Sequence, residues 1–159
     1  MKKNFKIATF VYLILLGTTL GSVVFAGSVV AVVVFNTQDV FNSTLLSHFQ
    51  EGQIMSAIFI KLRVLVDICV VYIALYEGYK YKMFERDKLT TMATFVAIAT
   101  GLMFGHYYMP DILTMQLAGE KMTQTQAFIN THKGSEIDFK LFAVALLVLM
   151  VQNMKKACK

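Results

Sequence analysis

Four long apolar runs, separated by three short polar segments, constrain the fold of this chain more than any other feature. They lie at about residues 7–35, 54–76, 89–109 and 138–154. An α-helix rises about 1.5 Å per residue, so about 20 apolar residues cross the hydrocarbon core of a bilayer. The first run exceeds that length and must tilt or project from the membrane, whereas the fourth must recruit polar residues at its ends. The pattern predicts an all-α membrane protein, a four-transmembrane-helix bundle that forms one domain over residues 1–159.

The composition agrees with a membrane protein, since 57% of the 159 residues are apolar and only 16% are charged. The basic start MKKNFK before an apolar run also fits a signal peptide with a cleavage site near Ala26. Because the apolar run continues well past Ala26, we expect a retained membrane anchor. The two cysteines, Cys69 and Cys158, exclude a disulfide framework and a CxxC metal site.

The distribution of basic residues predicts the orientation of the chain in its membrane. The first and third connections between the apolar runs contain only Lys121 and Lys133. Ten basic residues precede the first run, occupy the second connection or follow the fourth run: Lys2, Lys3, Lys6, Lys80, Lys82, Arg86, Lys88, Lys155, Lys156 and Lys159. Cytoplasmic segments are enriched in Lys and Arg, so we expect both termini in the cytoplasm and a location in the bacterial cytoplasmic (inner) membrane. The lipid bilayer then explains the net charge of +5, and no nucleic-acid partner is expected.

Three charged residues, Lys61, Arg63 and Asp67, fall inside the second apolar run. A charge at the centre of a bilayer costs on the order of 2.5 to 3.5 kcal/mol, so such residues are paired or face a polar cavity. Arg63 and Asp67 are four residues apart and can pair on one helix face. Lys61 points almost opposite to Arg63 and needs another partner or water. The two interpretations are an ion pair that fixes helix packing and a path for a solute, ion or proton.

With this orientation, every histidine lies on or near the outer side, namely His48, His106 and His132. Imidazole, carboxylate and thioether groups can bind transition metals, and methionines occur in the same region. One hypothesis is therefore a site for copper or another transition metal, with His106 and His132 as candidate ligands. No two histidines have the spacing of a metal-binding motif, however, so the alternative interpretation is that these are scattered loop residues.

The segment FINTHKGSEIDFKLF leads into the fourth apolar run and is unusually polar for that position. In a continuous helix, five of its side chains would share one face: Phe128, His132, Ser135, Phe139 and Phe142. The alternative is a helix that begins at Ser135 through a capping box, after a break at Gly134. We expect the continuous helix, with its polar part above the hydrocarbon. Ser135 then joins Lys61, Arg63 and Asp67 as a candidate residue for solute binding.

The first apolar run contains several small residues, which predict a helix-packing face. Gly17 and Gly21 have GxxxG spacing, and Gly27 lies farther along the same run. Small residues at such positions let two helices approach closely. The face would contact either another helix of the chain or a partner protein, so we expect a homo-oligomer or a larger membrane complex.

Four short segments of the chain form a recognisable set: GTTLGSVVFAG, EGQIMSAIFIKL, YYMPDI and the late F-x-x-x-H-x-x-S pattern. Together they resemble the DUF4149 family of TMEM-205-like four-span membrane proteins. Family positions carried over by the resemblance are Gly52, Phe59, Tyr108, Pro110, Phe128, His132 and Ser135. The resemblance implies four spans and, from what has been suggested for eukaryotic members, a role in export or tolerance of toxic metal compounds. The layout is also similar to copper-resistance and haem-pathway membrane proteins, but residues 7–35 lack the early histidine of the haem-pathway group, so haem is not expected.

These observations leave two functional hypotheses. In the first, the protein handles a small solute or metal ion in an outward-facing cavity where His106, His132 and Lys61 meet. In the second, it is a non-catalytic accessory subunit that packs against a larger membrane complex through its glycine-rich first helix. An enzyme is the least favoured class, because the sequence has no nucleophile elbow, HExxH motif or phosphate-binding loop.

Overall fold

The computed structural model describes residues 3–41, 43, 45–84 and 87–157, and every regular element among them is helical. Four residues used above, Lys2, Arg86, Cys158 and Lys159, lie outside these ranges. The helices are α1 (Lys3–Phe25), α2 (Ala31–Val34), α3 (Thr37–Phe41), α4 (His48–Lys82), α5 (Lys88–Met103), α6 (Met109–Leu117), α7 (Glu120–Thr123) and α8 (Gln126–Ala157). Two π-helical segments, Ala26–Val30 and Phe104–Tyr108, join α1 to α2 and α5 to α6. The all-helical fold class is confirmed.

The helices form a bundle of four long helical bodies: the first comprises residues 3–34, the second is α4, the third comprises residues 88–117 and the fourth is α8. In the bundle α8 packs against α1 and α5, and α4 packs against the same two helices. This arrangement places α1 opposite α5 and α4 opposite α8. The interior is filled by large apolar side chains from several helices, including Tyr12, Leu16, Ile73, Phe142, Leu146 and Leu149. The helices are joined by short connections, so neighbouring helices run in opposite directions.

Two helical segments, Phe5–Val34 and Lys88–Leu117, are long and apolar enough to cross a membrane. Each comprises 30 residues and runs through one of the π-helical segments. The other two long helices, α4 and α8, exceed the length that a crossing needs but carry more charged residues. The structure thus gives two candidate membrane-spanning helices, while the four-span topology and the position of the termini stay predictions.

The third helical body does not end near Met109, as the apolar run suggested, but continues to Leu117. Pro110 occupies the first turn of α6 and has no N–H group to donate to a carbonyl of the preceding turn. The π-helical segment just before it widens that turn, and the Met109 N–H donates to the Phe104 carbonyl oxygen. Proline is therefore accommodated without a break, as in the first turn of an isolated helix.

The prediction of one continuous late helix is confirmed, because α8 runs without interruption from Gln126 to Ala157. The Ser135 hydroxyl donates to the His132 carbonyl oxygen at 2.7 Å, so it does not cap a helix that begins there. Gly134 is inside the helix, where its lack of a side chain leaves room for Tyr108: an added Cβ would lie 2.9 Å from the Tyr108 ring.

Hydrogen bonds at the helix ends explain where α4 and α5 begin. Ser47 and Gln50 form a capping box at the start of α4. Asp87 caps α5, and its Oδ2 accepts from the Thr90 N–H at 3.1 Å and from the Thr90 hydroxyl. The same carboxylate lies 3.8 Å from the Lys156 ammonium group, so the α4–α5 connection and the end of α8 meet at one end of the bundle.

The Asp87 cap gives a testable pH dependence. The Thr90 side-chain hydrogen bond is the main reason why the pKa of Asp87 is lowered from its ordinary value. A carboxyl group with a lowered folded-state pKa stabilises the protein above its unfolded pKa, near 3.9, and this contribution is lost as the pH falls through the folded value. Asp87→Asn keeps a good cap residue but removes this titration, so melting temperature should fall less steeply below about pH 4.

The measurement is a series of thermal melts in mild detergent between neutral and acid pH. Thr90→Ala provides the matched variant, because it removes the side-chain hydrogen bond that contributes most to the lowered pKa while leaving the carboxyl group. Thr90→Ala should also make the melting temperature fall less steeply below about pH 4. If melting temperature fell with pH equally steeply in the two variants and the unmodified protein, the stabilising role assigned to the Asp87 carboxylate would be wrong.

Candidate functional site

A cavity of about 780 Å³ lies between α1–α2 and α8, at the end of the bundle away from the Asp87–Lys156 contact. Residues of α4 and α6 form its back wall, among them Gly52, Met55, Ser56, Ile112 and Gln116. Its volume is within the range of about 300 to 1,000 Å³ that is typical of small-molecule sites. All four helical bodies contribute to the lining, so the cavity is a feature of the whole bundle.

The deep part of the cavity is apolar and aromatic. The rings of Phe59, Phe104 and Phe139 form a cluster in which centroids are separated by 4.7 to 5.6 Å. Met55 and Met109, both buried, line the cavity beside them. Such a surface favours the apolar part of a ligand and offers little to a hydrated ion.

Charged and polar side chains lie at the rim, mainly on α8. The Lys140 ammonium group donates to Glu136 Oε1 at 2.7 Å, and this hydrogen bond is the main reason why the pKa of Glu136 is lowered. The imidazole of His132 stacks on Phe128, with ring centroids 6.0 Å apart and planes within 3°. Lys133 also lines the rim and forms no ion pair with any residue that the structure describes.

The cavity reaches the surface along the groove between the first helical body and α8. The exposed lining residues on the first body are Val24, Gly27 and Ser28, and those on α8 include Lys133, Glu136 and Lys140. Gly27 and Ser28 belong to the π-helical segment of residues 26–30. Segments of π-helix are frequent at functional sites, and both π-helical segments of this chain contribute residues to the cavity wall.

The predicted pair of Arg63 and Asp67 exists, with Arg63 Nε 3.4 Å from Asp67 Oδ2. His106 completes a cluster: Arg63 Nη2 lies 2.9 Å from His106 Nδ1, and His106 Nε2 lies 3.1 Å from Asp67 Oδ1. Because a guanidinium group can only donate, Nδ1 must accept, and the consistent tautomer is a neutral ring that donates from Nε2 to Asp67. Gly105 permits this contact, since an added Cβ would lie 3.3 Å from Arg63 Cγ.

The structure separates the three residues that the solute hypothesis placed together. His132 and Ser135 line the cavity. His106 instead forms hydrogen bonds with Arg63 and Asp67 of α4. Lys61 is exposed and does not line the cavity. Within the described residues no three His, Cys, Asp or Glu side chains form a group that could hold a metal ion, so metal binding by His106 and His132 stays a prediction.

A comparison with protein-family models matches residues 14–121 to DUF4149, described as a domain of unknown function. The chain belongs to the DUF4149 family. Three of the segments that carried the resemblance lie within the matched residues of this DUF4149 chain, and the late F-x-x-x-H-x-x-S pattern follows them. No match was found among curated proteins or among solved structures.

The predicted glycine face of the DUF4149 chain contacts α8 only in part. An added Cβ at Gly17 would lie 3.8 Å from Met150, and one at Gly27 would lie 3.8 Å from Phe139. An added Cβ at Gly21 would meet nothing within 4 Å. The glycine with the least room for a side chain is instead Gly101, where an added Cβ would lie 2.5 Å from Val70 Cγ2. Sequence reasoning did not single it out. Gly101 and Gly105 have GxxxG spacing in the third apolar run, so a sequence signal for close packing was available there.

Sequence reasoning also missed a buried polar cluster near the other end of the bundle. Lys80 Nζ donates to Asn153 Oδ1 at 2.6 Å, and Asn153 Nδ2 donates to Glu77 Oε1 at 2.7 Å. All three side chains are buried, although Lys80 had been counted only as a basic residue of a connection. The i, i+3 spacing of Glu77 and Lys80 was an available signal for an ion pair. Asp138 is buried as well, and its Oδ2 has no hydrogen-bond partner among the described residues.

Proposed function

We propose that this DUF4149 protein is a four-span integral membrane protein that holds a small solute in an outward-facing cavity. Both termini would be cytoplasmic, and the bacterial inner membrane is the proposed location. The observation that carries the proposal is the cavity of about 780 Å³, with its aromatic interior and its charged rim on α8. Of the three residues that the sequence placed at the site, His106, His132 and Lys61, only His132 lines this cavity.

The positions of the charged side chains support the proposed orientation. Most of the described basic residues lie at the end of the bundle where Asp87 meets Lys156. They are Lys3, Lys6, Lys80, Lys82, Lys88, Lys155 and Lys156. The cavity is at the other end, which has few lysines. If the positive-inside rule holds for this chain, the cavity opens on the outer side.

Cysteine labelling on intact cells tests the cavity and the orientation together. The starting variant is Cys158→Ser, which retains the buried Cys69 as an internal unreactive reference. Ser56→Cys places a thiol on the cavity wall, and Phe84→Cys places one on the exposed α4–α5 connection. A small membrane-impermeant thiol reagent added outside should modify position 56, spare Cys69, and modify position 84 only after the membrane is permeabilised.

The two parts of the proposal have separate contrary results. Labelling of position 84 in intact cells would reverse the orientation and place the cavity in the cytoplasm. Labelling of neither Ser56→Cys nor a second cavity variant, Ser135→Cys, would show that the cavity is closed to outside solutes. Either result would overturn the proposed outward-facing site.

The second candidate function is the accessory subunit, and the Arg63–His106–Asp67 cluster favours it. The side chains of Arg63 and Asp67 are each 34% exposed, and that of His106 is 51% exposed, on the outer surface of α4 and the third helical body. In a bilayer such polar groups are covered by protein or water. Native co-purification followed by mass spectrometry separates the two functions, because a stoichiometric partner lost in His106→Ala would support an accessory role.

A further inference from the structure

We propose that the solute is an anionic amphiphile, with one flexible apolar chain and a phosphate or carboxylate head, that enters the cavity sideways from the outer leaflet. The inference rests on the proposed function, because it takes the outward-facing cavity as its binding site. It adds the chemical class of the ligand, the place of its head group and its route of entry.

The apolar chain has a site of suitable shape and chemistry deep in the cavity. Phe59, Phe104 and Phe139 surround it with aromatic rings, and Met55 and Met109 add flexible thioether side chains. Methionine and aromatic surfaces adapt to irregular apolar ligands. A fully polar solute would lose its hydration there without gaining hydrogen bonds.

The head group has a positively charged site on the α8 side of the rim. Lys133 forms no ion pair with any described side chain, and neither ring nitrogen of the adjacent His132 forms a hydrogen bond with a described residue. Lys140 neutralises Glu136, so the two lysines together leave an excess of one positive charge. Glu120, also on the lining, belongs to the start of α7 and disfavours an anionic head on that side.

The groove between the first helical body and α8 provides the route. On one side it is bordered by apolar lining residues of the first helical body, among them Val24 and Ala31, and by Phe35 at its C-terminal end. On the other side it is bordered by the Glu136–Lys140 pair. A molecule that lies in this groove therefore meets an apolar wall and a charged wall together. An amphiphile already oriented in a membrane leaflet satisfies both, whereas a water-soluble ion satisfies only the second.

The chain contains no tryptophan, so a single introduced tryptophan reports on its own surroundings without background fluorescence. Phe139→Trp places the reporter in the cavity, where the native side chain is 9% exposed and cannot contact bulk lipid. Phe95→Trp is the matched control, since Phe95 is 75% exposed on α5 and does not line the cavity. Both variants are reconstituted in nanodiscs of unlabelled phospholipid.

Bromine quenches tryptophan only on close contact, so three brominated amphiphiles are titrated into the nanodiscs. Dibromostearate has a carboxylate head, dibromostearoyl lysophosphatidic acid a phosphate head, and the dibromostearoyl monoglyceride a neutral one. We expect saturable quenching of Phe139→Trp by the two anionic probes at a mole fraction about tenfold lower than for the monoglyceride, as a charge-assisted contact would give. Phe95→Trp should be quenched in proportion to mole fraction and without preference for the head group. Lys133→Glu in the Phe139→Trp background should remove the tenfold preference.

The possible failures are distinguishable. Quenching of Phe139→Trp by water-soluble acrylamide but by no brominated probe would overturn the amphiphile and leave the outward-facing cavity standing. Quenching by neither would overturn both proposals, and Phe59→Trp repeats the test in case the first variant obstructs the cavity. Equal quenching by charged and neutral probes would overturn the anionic head group. A preference confined to one anionic probe identifies which head, phosphate or carboxylate, the site accepts.

Discussion

Glu77→Ala is expected to lower the free energy of unfolding by on the order of 3 to 5 kcal/mol, the cost of leaving one partner of a buried ion pair unpaired. Lys80 Nζ lies 3.4 Å from Glu77 Oε2, and the two side chains are only 3% and 6% exposed. Without Glu77, the Lys80 ammonium group retains the Asn153 side-chain oxygen and the face of the Tyr76 ring, 5.3 Å from its centroid. These neutral partners do not balance a buried charge.

The measurement is equilibrium unfolding in mild detergent by titration with a denaturing detergent. Glu136→Ala is the matched control, because it breaks an exposed Glu–Lys pair on α8 and should change stability by less than about 1 kcal/mol. The double variant Glu77→Leu with Lys80→Met replaces the pair by apolar groups and should recover much of the loss. Equal effects of Glu77→Ala and Glu136→Ala would contradict the structural role assigned to the cluster.

This cluster also shows which contacts a sequence can predict. Arg63 and Asp67 were predicted to pair because residues four apart share a helix face, and the structure contains that pair. Lys80 and Asn153 are 73 residues apart, so their contact depends on how α4 and α8 pack. Periodicity within one helix carries no information about that packing, and the cluster was therefore missed.

The same limit applies to the candidate site. The continuous α8 and the common face of His132 and Ser135 followed from helical periodicity, and both residues line the cavity. Placing His106 and Lys61 beside them assumed that residues of similar depth converge. In the structure His106 bonds to Arg63 and Asp67, because Gly105 lets the third helical body approach α4 there. Depth along a helix can be predicted from sequence, but direction around the bundle requires the packed structure.

Gly101 provides the second large expected effect, since α5 has no room for a side chain at this position. An alanine Cβ at this position would lie 2.5 Å from Val70 Cγ2 and 3.1 Å from Phe142 Cε2. Both neighbours are buried, Val70 on α4 and Phe142 on α8, so neither can move freely. Overpacking of a core costs about 1 to 3 kcal/mol, which outweighs the gain of up to about 1 kcal/mol from the better helix propensity of alanine. We expect Gly101→Ala to reduce the free energy of unfolding.

Gly78→Ala measures the effect of helix propensity alone, because Gly78 is inside α4 and an added Cβ would meet nothing within 4 Å. It should raise the free energy of unfolding by about 0.5 to 1 kcal/mol in the same detergent titration. Val70→Ala removes the nearest atoms from the Gly101 site, so the double variant should be more stable than the sum of the two single changes predicts, with a coupling of about 0.5 to 3 kcal/mol. Additive effects of Gly101→Ala and Val70→Ala would show that the two helices are not in contact at Gly101, and the bundle geometry that positions the cavity would have to be revised.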